Sequence, residues 1–450
     1  MEVASGRSTV RVLMLPWLAH GHISPFLELG KKLADRNFHI YFCSTPVNLD
    51  SLKPKLSNSK YSNSIELVEL HLPSFPELPP HYHTTKGLPP HLTPILHKAS
   101  DISGPKFSNI AATLSPDVII YDFHAHWIHD IAASLNIPVI AFIPCGAAMV
   151  SCMHHNLTNK DGEFPFPEVA STHIMKKKLA QIRERSSASD SKRGSVYTGS
   201  FNIVLINSFR EIEEKYMDYL SVSLGLKILP VGLLVPDPVY QDDNDEGLDI
   251  IKWLDKKEKS STVYVSFGSE YYLSKEDMQE VSLGLELSEV NFIWVVRFPE
   301  GEKTKLEEAL PKGFLERVKE RGLVVENWAP QIKILNHSSI GGFVSHCGWG
   351  SVLESLKFGV PIIAMPMQID QPWNARVLVS SGVGLEVEKE INNEKIEREN
   401  MAKVIKQIVM EKIGKDIRRK AKEIGNNLKS RAEEDMDEVK KEIFKVCGIF

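Results

Sequence analysis

Short apolar runs alternate with helix-patterned stretches along this chain, stop at one proline- and acid-rich break, and then start again. VRVLMLP (10–16) reads as a strand, and Phe26, Leu29 and Leu33 mark one face of the helix that follows. FHIYFCST (38–45), SIELVEL (64–70), DVIIY (117–121), PVIAFI (138–143) and IVLIN (203–207) continue the series. Near-continuous β-branched runs of this kind suit a parallel sheet covered on both faces. PDPVYQDDNDEG (236–247) reads as a linker. STVYVSF (261–267) then reopens the pattern, followed by FIWVVRF, LVVEN, IGGFVS and PIIAMP, with helical stretches between them. Ser274 is placed to cap one of those helices, with Asp277 three residues on. Residues 394–447 are helical in pattern and strongly charged. Two βαβ series in tandem predict an α/β chain of two doubly wound, Rossmann-like domains facing each other across a cleft. The expected divisions are an N-terminal domain over 1–235, a linker over 236–247, a C-terminal domain over 248–430, and a terminal helix over 431–450 packing back on the first domain.

At 450 residues the chain is too long for one core. Its 42% hydrophobic and 25% charged content are those of a soluble protein. A net charge of −5 argues against nucleic acid or an anionic membrane as main partner. MEVASGRSTVRVLMLP lacks a signal-peptide layout, because its apolar run is short and leads straight into a strand. Residues 131–153 carry no charge and are long enough to raise a membrane span. Asn136, Pro138, Pro144 and Gly146 interrupt that run, so a buried strand followed by a helix is expected instead. Five scattered cysteines without a CxxC fit reduced thiols in a cytoplasmic protein, expected to be a monomer. The sequons at Asn156 and Asn336 then read as chance.

Ligands of open parallel sheets bind beyond the carboxyl ends of the strands. In the second half, Ser269, Trp328, His346 and the pair Asp370-Gln371 each follow a strand. SHCGWGSVLES (345–355) places His346, two glycines and Ser351 at a strand-to-helix corner. Glycines there permit close approach, and a helix N-terminus presents N–H groups to an anion. The plainer alternative is a corner whose glycines only relieve crowding. An aromatic plane, phosphate donors and a carboxylate–amide pair match a nucleotide diphosphate carrying a polyhydroxyl group. No GxGxxG follows a first strand, which weakens a dinucleotide-binding reading.

The segment WAPQIKILNHSSIGGFVSHCGWGSVLESLKFGVPIIAMPMQIDQ, Trp328 to Gln371, resembles the signature box of plant family-1 UDP-glycosyltransferases. The resemblance runs from PWLAHGHISPFLELGKKL to the charged terminal helix. It implies the GT-B fold, with the sugar donor on the C-terminal domain and the acceptor mainly on the N-terminal one. By matching position, Trp328 stacks on uracil, with Ala329 and Gln331 beside base and ribose. Glu354 accepts from the ribose hydroxyls, one helical turn from Ser351. His346, Ser351 and Ser269 contact the diphosphate, and Trp349, Asp370 and Gln371 lie against the sugar. Glutamine at 371 is typical of glucose users in the family, whereas histidine there accompanies galactose. The family usually has asparagine where this chain has Gly350, so one side-chain contact near the phosphates is missing.

Glycoside formation needs a base, since an alcohol does not ionise alone near neutral pH. The resemblance assigns that role to His22, in AHGHISPF after the first strand, and the partner carboxylate to Asp122, in IIYDFHAHW. Taken alone, this pair reads as two satisfied structural residues; the box changes that reading. The implied reaction is one-step displacement with inversion, giving a β-glucoside from UDP-glucose without a metal or other cofactor. Asp243-Asn244-Asp245 resembles a DxD metal motif but sits in the linker, where solvated charge is the expected role. His124, His126 and His129 suggest zinc, yet lining of an acceptor pocket is expected instead. HYHTTKGLPPHL, FGSEYYLS, LELSEVNFIWVVRFP and PMQIDQPWNAR look like the glycoside-extending branch, which adds a sugar to a flavonoid, lignan, apocarotenoid or triterpenoid glycoside, often 1,6-linked. Direct transfer to an aglycone hydroxyl, another GT-B activity such as nucleotide-sugar epimerisation, and a non-catalytic UDP-sugar-binding protein remain as alternatives. His22 and Asp122 together favour the transferase over the binder.

Overall fold

The computed structural model describes residues 9–57, 59–159, 162–172, 175, 202–238, 247–299, 304–389 and 395–449. The chain divides into two compact units: Met1–Pro165 with Ala170–Leu234 and Arg431–Phe450, and Phe166–Val169 with Val235–Ser430. Asp243-Asn244-Asp245 and most of the acidic stretch lie outside the described residues.

The first unit holds seven strands: β1 Val10–Leu15, β2 Phe38–Ser44, β3 Ile65–Glu69, β4 Val118–Asp122, β5 Val139–Ile143, β6 Ile203–Ile206 and β7 Lys227–Pro230. Their order is β3-β2-β1-β4-β5-β6-β7, and every neighbouring pair is parallel. The second unit holds β8 Thr262–Ser266, β9 Asn291–Val296, β10 Gly322–Glu326, β11 Ile340–Ser345, β12 Ile362–Ala364 and β13 Gly384–Glu386. Their order is β10-β9-β8-β11-β12-β13, again all parallel. Both units are doubly wound α/β folds. Each has one point where the winding reverses, between β1 and β4 and between β8 and β11. The last strands of the two sheets, β7 and β13, are four and three residues long and were not anticipated; each includes a charged residue, so neither stands out as an apolar run.

The central strands β4, β5 and β11 are buried at every position, as parallel sheets with helices on both faces require. Val12, Met14, Phe26, Leu29 and Leu33 join β2 and β5 side chains in the first core. Val263, Val265, Phe292 and Trp294 pack with Val281, Leu285 and Ile405 in the second. The uncharged stretch 131–153 resolves into β5 and the helix Ala147–Thr158, separated from the preceding helix by Asn136 at φ 53°. No helix among the described residues is long and apolar enough to cross a membrane. Ser274 caps the helix Lys275–Ser288: its hydroxyl accepts from the Asp277 N–H at 3.0 Å.

Candidate active site

In the first unit the winding reversal sets two loop ends side by side. β1 pairs with β4 so that Leu15 stands opposite Tyr121, one residue before Asp122. The helix His20–Ala34 begins just after β1 and carries His22 in its first turn. His22 Nδ1 therefore meets Asp122 Oδ2 at 2.6 Å, although the residues are a hundred positions apart. Asp122 is fully buried, and its Oδ1 accepts from the His124 N–H at 3.1 Å. With both carboxylate oxygens engaged, the aspartate has little freedom to turn. A carboxylate can only accept, so Nδ1 of the neutral imidazole carries the proton and the basic lone pair sits on Nε2. That is the tautomer a general base needs.

A hollow opens beside this pair, lined by Trp17, Leu18, Leu70, Leu72, His124 and Trp127 together with Asp122. Trp17 stacks against two neighbouring imidazoles, His97 at 4.3 Å and His124 at 4.7 Å between ring centroids, which lie 5.5 Å from each other. The stack fixes the wall of the hollow. His126 lies 3.8 Å from Asp101, and His129 Nε2 bonds the Tyr121 hydroxyl at 3.0 Å, so those two do not converge with His124. Among the described residues, His22, Asp122 and His124 form the group whose donor atoms, within 4.8 Å of one another, are close enough to hold a metal ion.

In the second unit the reversal between β8 and β11 brings the turn after β8 against the corner after β11. A Cβ at Gly268 would fall 2.6 Å from His346 Nε2, and a Cβ at Gly348 would fall 2.5 Å from the same atom. Both positions must be glycine for the imidazole to lie where it does. Burial pushes His346 down from 6.5 to about 4, so the ring is neutral at physiological pH. It can donate a hydrogen bond to an anion but brings no charge of its own. The helix Trp349–Lys357 starts at the same corner, and its first internal bond runs from Val352 N–H to Gly348 C=O at 3.1 Å. The amides of Gly350 and Ser351 precede that bond and have no acceptor inside the helix. Gly350 has ordinary backbone angles and open space around its Cβ position. Ser269 is exposed on the turn after β8.

Gln331, Ser351 and Glu354 come together. Gln331 Nε2 donates to Glu354 Oε2 at 2.7 Å and to Ser351 Oγ at 3.2 Å. Desolvation raises the Glu354 carboxyl, while the Gln331 bond and the Lys357 charge act to lower it. Trp328 is 56% exposed, a large aromatic surface turned to solvent, while Ala329 beside it is buried. The Trp349 indole is 4% exposed, which leaves its backbone as the part that lies at the corner. Gln371 is also buried, and its Oε1 accepts from the N–H groups of Met367 (2.9 Å) and Gln368 (2.8 Å). Its amide oxygen thus holds its own loop. The close approach expected of the corner glycines is seen at Gly348, while sequence reasoning passed over Gly268 and Asn374; the signal for Asn374 was its i, i+4 spacing from Asp370.

Comparison with known proteins supplies the family. The model described as UDP-glucoronosyl and UDP-glucosyl transferase matches residues 240–422, and that described as glycosyltransferase, N-terminal domain, matches 8–236. A mogroside IIIx synthase of Siraitia grosvenorii is 54% identical, with 98% of this chain and 94% of the relative covered. A β-D-glucosyl crocetin β-1,6-glucosyltransferase of Gardenia jasminoides is 48% identical over 95% and 96% of the two chains. Among solved structures, a UDP-glucosyltransferase from Polygonum tinctorium capable of glucosylating indoxyl superposes with a TM-score of 0.82 at 27% identity, covering 98% of this chain and all of that one.

Proposed function

We propose that this chain, which belongs to the plant family-1 UDP-glycosyltransferases and has their GT-B fold, extends the sugar of a small lipophilic glycoside with glucose from UDP-glucose. The observation that carries the chemistry is the 2.6 Å pair of His22 and buried Asp122. His22 Nε2 takes the proton of an acceptor hydroxyl held in the hollow beside Trp17 and His124. The freed oxygen attacks the anomeric carbon as the bond to the UDP β-phosphate breaks, and the configuration inverts to a β-glucoside. Asp122 keeps the tautomer and stabilises the imidazolium until the proton leaves.

The second unit supplies the donor side. Trp328 offers its face to uracil, and Glu354, steadied by Gln331, accepts from the ribose. Neutral His346, Ser351, Ser269 and the first-turn amides of the helix receive the diphosphate, whose charge grows as the bond breaks. Asp370 and the Gln371 NH₂ group meet the sugar hydroxyls. These groups make a metal unnecessary for the diphosphate, and a metal on His22, Asp122 and His124 would displace the hydrogen bond that orients the base. The relatives named for mogroside IIIx and for glucosyl crocetin support an acceptor that already carries a sugar. We place the enzyme in the cytoplasm, as a monomer.

The test pairs UDP-glucose with matched aglycones and monoglucosides, crocetin and β-D-glucosyl crocetin among them, and identifies products by mass and linkage. Glucosylated glycosides with a new β bond are expected. Faster conversion of the bare aglycones would reassign the acceptor. His22→Ala should abolish transfer while calorimetry still detects UDP, and Asp122→Asn should cut turnover by about 10³–10⁴. EDTA should leave the rate nearly intact; a loss restored by Mn²⁺ or Zn²⁺ would give the histidine–aspartate group a metal role.

A further inference from the structure

Asn374 lies on the helix Gln371–Ser380, one turn beyond Asp370, and is 1% exposed. Its Nδ2 donates to the Cys347 carbonyl at 3.0 Å and to Asp370 Oδ2 at 2.8 Å. A primary amide has two hydrogens on nitrogen, and both partners can only accept, so the orientation of the amide is settled by chemistry. Each end of this bridge is a strained stretch. Cys347, at the corner between β11 and the helix Trp349–Lys357, has φ 64°; Ile369, immediately before Asp370, has φ 54°. Left-handed backbone is disfavoured for side chains such as these, most of all for a β-branched one, and persists only where neighbours hold it. At the Asp370 end Gln371 Oε1 fastens the Met367 and Gln368 amides. At the Cys347 end its N–H donates to Ser345 Oγ at 3.1 Å. Asn374 is the side chain that joins the two.

We propose that Asn374 is a positioning residue for the donor sugar, fixing the Asp370 carboxylate relative to the phosphate corner at Cys347. The proposal rests on the reading of Asp370 as facing the sugar. A carboxylate discriminates among hydroxyl orientations only if its own direction is fixed, and an aspartate side chain has two bonds about which to turn. The Asn374 bond restricts that turning. It also refers the carboxylate to the place where the diphosphate is held, so the distance from phosphate to sugar hydroxyl becomes a property of the site. UDP alone has no sugar and takes no benefit from it.

Asn374→Ala and Asn374→Asp in the full-length enzyme test this. The aspartate keeps the shape but turns oxygens toward both acceptors. Both variants should lose about tenfold or more in kcat/KM for UDP-glucose, the range of a hydrogen bond to a charged group. The preference for UDP-glucose over UDP-galactose should narrow by a similar factor, while the calorimetric Kd for UDP moves by less than about threefold. Asp370→Asn should reproduce the narrowing, and adding Asn374→Ala to it should cost little more. A uniform weakening of UDP and UDP-glucose with the preference intact would make Asn374 a merely structural residue and overturn the proposal. If Asp370→Asn leaves the preference unchanged, the sugar-facing reading of Asp370 falls; if only the Asn374 variants leave it unchanged, this proposal alone falls. Should the alanine chain fail to fold, Asn374→Ser, which keeps one donor, is put through the same comparison and decides between the same outcomes.

Discussion

His346 shows how a residue type misleads about its own chemistry. A histidine beside a helix N-terminus at a strand-to-helix corner suggests a positive charge ready for an anion, yet desolvation between two glycines leaves it neutral, with its value down at about 4. The unfolded chain has an ordinary imidazole near 6.5, so below that pH the unfolded state binds a proton that the folded state refuses. The stability associated with a neutral His346 is thus fully present above about 6.5 and is lost as the pH falls towards about 4. Between pH 7.5 and 5 the loss amounts to about 2 kcal/mol. His346→Gln removes it, so urea melts of the variant should be less acid-sensitive by that amount; parallel curves would show that the ring is not desolvated. Gly350 is the opposite case, a glycine that nothing requires. Its angles are ordinary and its Cβ position is open, so Gly350→Asn should fold unchanged. An amide there that reaches a phosphate should lower the KM for UDP-glucose by about tenfold, the effect of a hydrogen bond to a charged group. An unfolded or inactive variant would mean that the space itself is used.

The strand-to-helix corner after β11 works as an element because the turn after β8 faces it. Gly348 has φ −56°, which any residue can adopt, so the need for glycine there is steric alone. Gly268, at φ 80°, would add backbone strain to the same clash and gives a less clean experiment. Gly348→Ala should push the His346 ring aside and weaken UDP about tenfold or more, the loss of one hydrogen bond to a charged group, with little change in melting temperature. Retained affinity would show that the imidazole does not touch the diphosphate. The helix Ala147–Thr158 depends on a neighbour in a similar way. It has no side-chain cap of its own, and the buried Glu213 of the helix Arg210–Leu224 accepts from its Ala147 and Ala148 amides at 2.8 and 2.9 Å and from Ser208 Oγ at 2.5 Å. Desolvation raises this carboxyl, and the three donors act to lower it.

At the scale of the whole molecule, the chain completes its first unit with its last residues. Met436, Val439 and Ile443, all fully buried, belong to the same core as Val12, Phe26 and Phe38, and the Phe444 ring lies 5.5 Å from that of Phe38. Arg36 adds bonds to Glu433 at 2.7 Å and Asp437 at 2.8 Å, exposed pairs of small energetic weight. Fully burying three such side chains is worth about 5 kcal/mol or more, a large part of a domain's net stability. Ending the chain at Ser430 should therefore leave the first unit unfolded or insoluble, whereas Ile443→Ala should cost about 2–5 kcal/mol and still fold. A truncated chain that melts with the full-length protein would remove the terminal helix from that core.

The local pattern carried much of the fold. Runs such as IGGFVS and DVIIY announce buried parallel strands because every side chain on them must be apolar, and the break at 236–247 separates two such series because charge and proline cannot continue a sheet. The strand-to-helix corner after β11 was legible for the same local reason, since its glycines, its helix start and the one-turn spacing of Ser351 and Glu354 lie in one short stretch, whereas the Gln331 bonds to both cross 20 and 23 residues. What no local pattern contains is the order of strands in a sheet. That order puts β1 beside β4, and so sets His22 against Asp122; the family resemblance named the pair, but only the pairing explains the contact. It also sets the turn after β8 against the corner after β11, which turns His346 from a charge into a neutral donor. Pair distances, desolvation and the bridge at Asn374 arise from atoms far apart in the chain, and packing alone decides them.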